Sequence, residues 1–376
     1  MNANGQAELY SANEEPLLRR EMPELDSIRG IAILMVVLYH GLYWQVDLSH
    51  FPRAARLFLT LMWTGRLGVN LFFVLSGFLI TGILVDSRNR ADFYRRFYVR
   101  RALRILPAYL VILCVLLLTH YSPKVFVFLS FFYLSNLTPL FGIAVSYPVL
   151  WSLAVEEHFY MLWPAFVRHL TTTALAVLSL LIIVLSPITR LLSFPHSISN
   201  GVASYACNDY TWNSLDGLAC GAILALVVRH RKISRYRLLG LAGVLSGFSI
   251  FIWVIGIPHG ILTRQTAFGA SLQVVPWHFA FTAVLGCALL LGSSRYKWMV
   301  DSRFLGFFGT ISYGLYLIHV LIFALYDRIA SSTVNTVTLP MLFLRLVVAG
   351  GISVLIAFIS RRFFEERFLQ LKGRLS

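Results

Sequence analysis

The chain has 376 residues, of which 58% are hydrophobic and only 13% charged, and its formal net charge is +15. A soluble domain carries about 25% charged residues, so a soluble globular domain is excluded. Recurrent apolar runs, each long enough for a bilayer core of about 30 Å, mark an all-α, polytopic membrane bundle. The positive charge would suggest nucleic acid in a soluble protein. Here the basic residues cluster in short loops between apolar runs, where they set topology. A lipid bilayer is the expected partner and nucleic acid is not.

Residues 1–24 are polar and acidic, carry Pro16 and Pro23, and show no signal-peptide pattern. They read as a disordered cytoplasmic tail. The expected transmembrane domain covers 25–368, and 369–376 form a second cytoplasmic tail. Cys114, Cys220 and Cys287 lie in apolar runs and Cys207 in a loop. That spacing is neither a metal nor a disulfide framework, so core packing is expected of all four and no metal site is predicted.

Eleven apolar segments follow in order: 31–47, 67–85, 104–120, 125–140, 149–167, 173–191, 213–228, 237–257, 272–292, 304–328 and 339–360. The arginine-dense stretches 86–104, 229–237 and 361–374 are expected on the cytoplasmic side, and the uncharged loop 331–340 outside. Five segments between 104 and 229 make an odd number of crossings between two cytoplasmic loops. One of them must fail to span, either 125–140, which is short, or 149–167, which carries Glu156, Glu157 and His158. The corrected expectation is about ten spanning helices with both termini inside.

Ionisable groups inside such segments are costly and mark functional positions. DSIRGIAILMVVLYH places Arg29 and His40 eleven residues apart. At 3.6 residues per turn they fall within about 20° of one face, ~16 Å apart along the axis. Arg29 then sits at the cytoplasmic interface and His40 beyond the bilayer centre. Arg29 also suits a snorkelling anchor, and His40 a histidine capped by a nearby hydroxyl or carbonyl.

GVNLFFVLSGFLI offers Ser76 and Gly77 as small residues that admit another helix or a ligand. VRRALRILPAY sets Arg101 and Arg104 on one face at the cytoplasmic surface. Arginine there suits phosphate, which its planar fork pairs in a bidentate way, and it also suits a topology signal. In VLWSLAVEEHFYMLWP, adjacent residues point about 100° apart, so one of Glu156 and Glu157 is expected to face the core. It would serve proton transfer or a structural ion pair. Asp216 fits a helix cap, and His319 a core hydrogen bond. The residues alone leave open a proton-coupled transporter and an intramembrane enzyme with a phosphate-bearing donor.

ELDSIRGIAILMVVLYH, GVNLFFVLSGFLI, YVRRALRILPAY, WSLAVEEHFYMLWP, LDGLACGAIL and GTISYGLYLIH, in that order, resemble the motifs of the acyltransferase-3 family of integral membrane acyltransferases, over about residues 24–368. Asn70 stands where many members have aspartate, and His158 where glutamine is common. No hydrolase-like domain follows the last helix, so the chain is expected to act alone or with separate glycan-assembly proteins.

The resemblance implies an O-acyltransferase of the bacterial plasma (inner) membrane. It would move an acetyl or other short acyl group from cytoplasmic acyl-CoA, a donor substrate and not a resident cofactor, to a hydroxyl of a carbohydrate or glycan. On this expectation Arg29, Arg101 and Arg104 hold the phosphates of coenzyme A, and His40 is the general base or an acyl carrier. Glu156 orients or protonates His40 or contacts the acceptor. Ser76 and Tyr313 stabilise the oxyanion. The same chemistry on a small molecule such as a macrolide sugar stays open, as does a transporter.

Overall fold

A computed structural model describes residues 16–19, 21–44, 46–199, 209–230, 233–259, 262, 266–330 and 337–371, with the backbone alone for 195–199. Cys207, residues 1–15 of the expected leading tail and residues 372–376 of the expected trailing tail lie outside them. No strand occurs among the described residues.

The first helix, α1 (Pro23–Leu42), carries Pro in its first turn, where a missing N–H costs nothing. A short amphipathic α2 (Arg53–Met62) runs through a 3₁₀ turn (Trp63–Leu67) into α3 (Gly68–Ser87). Then come α4 (Phe93–Leu118), α5 (Lys124–Phe131), α6 (Leu150–His169), α7 (Thr172–Ser199), α8 (Thr211–Arg229) and α9 (Arg235–Gly256). The series ends with α10 (Ala267–Leu272), α11 (Val275–Gly292), α12 (Arg303–Ala330), α13 (Leu339–Arg345), α14 (Gly351–Ser360) and α15 (Glu366–Leu371); π-helical turns at 346–350 and 361–365 keep the last three in one rod.

Nine helical stretches among the described residues are long and apolar enough to cross a membrane. Helix α6 adds twenty residues, about 30 Å, and falls outside that class because of its charges. Of the two segments that parity put in doubt, 125–140 holds the shorter helix: the eight residues of α5 rise only ~12 Å, too little to span.

The helices pack as pairs: α1 on α12, α3 on α8, α7 on α8 and α9 on α11. Small residues set the closest approaches. A Cβ on Gly77 would lie 1.9 Å from the Leu218 carbonyl oxygen, and one on Gly221 1.9 Å from that of Val74. The small residues expected to admit a helix at 76–77 thus receive α8 at Gly77. One apolar core joins α1, α4, α6 and α12, and a second joins α1, α3, α8 and α11. Val244, Phe251 and Val254 of α9 face outward, as lipid requires.

Three expectations change. The leading tail is shorter than 1–24: Leu17, Leu18 and Met22 pack on the second core, and Glu24, inside α1, is buried against Arg19 at 2.5 Å. Cys114 is exposed rather than in the core. Asp216 is not a cap, since it lies inside α8, buried in an ion pair.

Candidate active site

Two cavities open at different levels of α1. The cavity at its Arg29 end, about 160 Å³, is lined by Arg29, Ser76, Arg101, Arg104, Glu156 and Tyr313. The one at its His40 end, about 430 Å³, is lined by His40, Arg66, Asn70, Asp209, Asp216 and His278. Val69 and Tyr316 line both. Tyr316 holds its hydroxyl 2.5 Å from Ser152 Oγ, so this contact lies where the cavities meet.

In the smaller cavity the arginines divide their work. Arg101 lies between the two glutamates, 3.9 Å from Glu156 and 3.6 Å from Glu157, with its guanidinium 3.6 Å from the Tyr160 ring centre. Both carboxylates thus reach one cation, where sequence spacing admits only one to the core: a long arginine reaches across the gap between them. Arg29 pairs with Asp26 at 2.6 Å. Arg104 makes no ion pair or hydrogen bond among the described residues, so its fork is free for a ligand.

Ser76 donates to Glu156 Oε1 at 2.9 Å, and Tyr313 donates to the Ile105 carbonyl at 2.8 Å. Their hydroxyl protons are committed there, in the arginine cavity, and neither residue lines the cavity of His40. Glu156 likewise belongs to the arginine cavity and does not orient His40. His158 is turned away to Thr211 Oγ1, 2.6 Å from Nδ1.

His40 has a different partner. Its Nδ1 lies 2.9 Å from the Val36 carbonyl oxygen and 3.2 Å from His319 Nε2. A carbonyl only accepts, so Nδ1 carries the proton and shares it with His319. His319 Nδ1 in turn donates to the Leu315 carbonyl at 2.9 Å, which leaves its Nε2 as the acceptor. Both rings are the same tautomer, and His40 Nε2 keeps its lone pair. Tyr39 and Trp44 stand edge-on or tilted against the His40 ring, 4.9 and 5.7 Å between centres.

The end of α1 is fastened by Arg345, which pairs with Asp327 through two 2.7 Å bonds. It also donates to the carbonyls of His40 and Gly41 at 2.8 and 2.6 Å. Those carbonyls have no helical partner, and the arginine supplies one, fixing the turn that carries His40.

The opposite wall holds a buried polar chain. Arg190 donates to Asp216 at 2.9 Å and to the carbonyls of Asn213 and Ser271. His278 Nδ1 lies 3.2 Å from Asp216, and its Nε2 2.8 Å from Asn70 Oδ1. Asp209, just ahead of α8, also lines this cavity, and burial pushes its carboxyl up to about 8.

Sequence reasoning passed over Arg66, Arg190, Asp209, His278, Tyr316 and Arg345. Arg190 and His278 had a readable signal, a lone ionisable group inside an expected span. Tyr316 had none, since aromatic residues fill these helices.

The acyltransferase-3 acyltransferase domain matches residues 22–362. The peptidoglycan O-acetyltransferase OatA of Listeria monocytogenes is 27% identical over 92% of the chain and 56% of its own length. The putative peptidoglycan O-acetyltransferase YrhL of Bacillus subtilis is 29% identical over 92% of the chain and 55% of its own length. For the O-acetyltransferase OatA of Staphylococcus aureus the figures are 26%, 84% and 57%. The chain thus spans little more than half the length of these relatives. No solved structure matches it. With nearly the whole membrane domain matched, and the six motifs in order along it, the chain belongs to the acyltransferase-3 family of integral membrane acyltransferases.

Proposed function

We propose that the protein is an O-acyltransferase of a bacterial plasma membrane that moves a short acyl group from acyl-CoA to a hydroxyl of a glycan. The observation that carries this is the pairing of cavities: a free arginine in one, an unprotonated histidine nitrogen in the other, and Val69 and Tyr316 common to both.

Coenzyme A is polyanionic, and Arg104, with Arg29 beside it, offers its phosphates charge-assisted bonds. Arg101 serves the site from behind, balancing Glu156 and Glu157. The thin pantetheine arm follows α1 past Tyr316 and presents the thioester near His40. His40 Nε2 takes the proton of the acceptor hydroxyl as that oxygen attacks the thioester carbonyl. The C–S bond breaks, and the proton passes from His40 to the departing thiolate. His319 accepts from Nδ1–H and holds the tautomer through the cycle, the task of the third group in such constellations. The arginine-dense loops support a cytoplasmic side for the donor cavity, which would bring the acceptor to the larger cavity from the outer side. The relatives named for peptidoglycan O-acetylation favour a cell-wall type glycan as acceptor.

The test is release of free thiol from acetyl-CoA by the purified protein supplied with glycan fragments. Thiol release that requires acceptor and disappears in His40→Ala is expected. Acceptor flux across vesicles without thiol release would replace the enzyme with a transporter.

A further inference from the structure

Arg66 lies in the 3₁₀ turn Trp63–Leu67 that joins α2 to α3, and it lines the larger cavity. Its guanidinium stacks on Trp63, 3.9 Å from the ring centre. Its hydrogen bond to Gln273 Oε1 is long at 3.4 Å. Its Nε–H is buried without a partner, and no carboxylate pairs with it among the described residues. A buried donor left unmet is costly, and an acceptor on a bound ligand would meet it.

The surrounding charges do not compensate. Arg190 and Asp216 neutralise each other at 2.9 Å. Asp209 is held protonated at neutral pH by its burial. The cavity therefore keeps the charge of Arg66, which lines it, while stacking on Trp63 covers a face of the guanidinium and not its hydrogen-bonding edge. An arginine fork in that state matches the paired oxygens of a carboxylate or phosphate. Tyr43, Trp44 and Trp151 add aromatic faces to the wall, as in sites where a few placed polar groups orient a ligand against apolar faces.

We propose that Arg66 recognises an anionic group, a carboxylate or a phosphate, carried by the acceptor, so that this cavity selects acidic sugars over neutral ones. This rests on reading the larger cavity as the acceptor site. The anion docks at the α2–α3 turn while the reacting hydroxyl faces His40. Arg66 is thus a specificity residue at the acceptor's far end.

Binding can be followed without turnover, because Trp44, Trp63 and Trp151 line the cavity and report occupancy by fluorescence. The full chain in detergent is titrated with N-acetylmuramic acid, its methyl ester and N-acetylglucosamine 1-phosphate. The acid is expected to bind at least tenfold more tightly than the ester. Arg66→Gln should abolish that preference, and Arg66→Lys, which keeps the charge, should restore part of it. Tighter binding of the phosphate than of the acid assigns the anion to a phosphorylated sugar; the reverse assigns it to a carboxylated one. If acid and ester bind alike to the unaltered protein, or fail alike, the proposal is wrong, and the same holds if Arg66→Gln keeps the preference. Acyl transfer is measured separately. Loss of thiol release with the binding preference intact would overturn only the enzymatic reading; equal transfer to acid and ester would overturn only this one.

Discussion

His40 Nδ1 and His319 Nε2 stand 3.2 Å apart, although the two residues are 279 positions distant in the chain. Each histidine also donates from Nδ1 to the carbonyl four residues before it. The pair is therefore two identical tautomers in series, with the free lone pair at His40.

Replacing His40 with alanine should lower kcat by about 10²–10⁴-fold, the usual contribution of a general base, with KM for acyl-CoA unchanged. His319→Ala should cost less than His40→Ala. His319→Gln should recover part of that loss, because its amide oxygen still accepts a hydrogen bond. Acceptor-dependent thiol release measures all three, and equal losses in His319→Ala and His319→Gln would deny His319 its role as acceptor.

Arg104 and Arg101 should separate. Arg104→Ala removes a charge-assisted bond of about 1.5–3 kcal/mol, or roughly 10- to 100-fold in KM for acyl-CoA, and leaves the fold intact. Arg101→Met strips the cation from Glu156 and Glu157 and should lower the thermal midpoint sharply, since unpairing a buried ion costs about 3–5 kcal/mol. Thermal unfolding and acyl-CoA titration of the two variants decide the matter. An intact midpoint in Arg101→Met would return that residue to the donor site.

Tyr316→Trp enlarges the side chain where the cavities meet and should block transfer at least tenfold while leaving the affinity for coenzyme A unchanged. Isothermal titration with coenzyme A, set beside the turnover assay, reads both. A weakened coenzyme A affinity would mean that Tyr316 belongs to the donor site alone.

The pH response of acceptor binding follows from Asp209. Burial raises its carboxyl to about 8, so it is neutral below that pH and anionic above it. It shares its cavity with Arg66, the Arg190–Asp216 pair, His278 and His40. As pH rises through about 8, the new negative charge opposes an anionic acceptor, and KM for an acidic sugar should climb. Asp209→Asn should flatten that rise. A profile unchanged by the substitution would remove Asp209 from acceptor binding.

The spans were legible because lipid demands long apolar runs and loops confine the arginines. Parity pointed to one segment between 104 and 229 stopping short, and α5, with eight residues, is too short to span. The shared face of Arg29 and His40 was also legible, being a property of one helix. What spacing could not give was which helix lies opposite. Glu156 and His40 both belong to motif segments, yet they line separate cavities, because α6 meets α3 and α4 at the arginine end while α12 brings His319 to His40. The Arg190–Asp216–His278–Asn70 chain draws on four helices, and no local pattern joins them. Asp216 reads as a cap when only its neighbours in sequence are considered, and as the anion of an ion pair once Arg190 folds across it.

The meeting of the two cavities at Val69 and Tyr316 has a consequence for the cell. A polar route running unbroken between the two ends of α1 would conduct protons and small ions and drain the gradient across the membrane. Tyr316, bonded to Ser152, and the isopropyl group of Val69 stand between the two cavities, where they would interrupt that route. A slender acyl arm could thread past them and seal the way by filling it. On the function proposed here, the enzyme would carry a chemical group from one compartment to the other while remaining an electrical insulator.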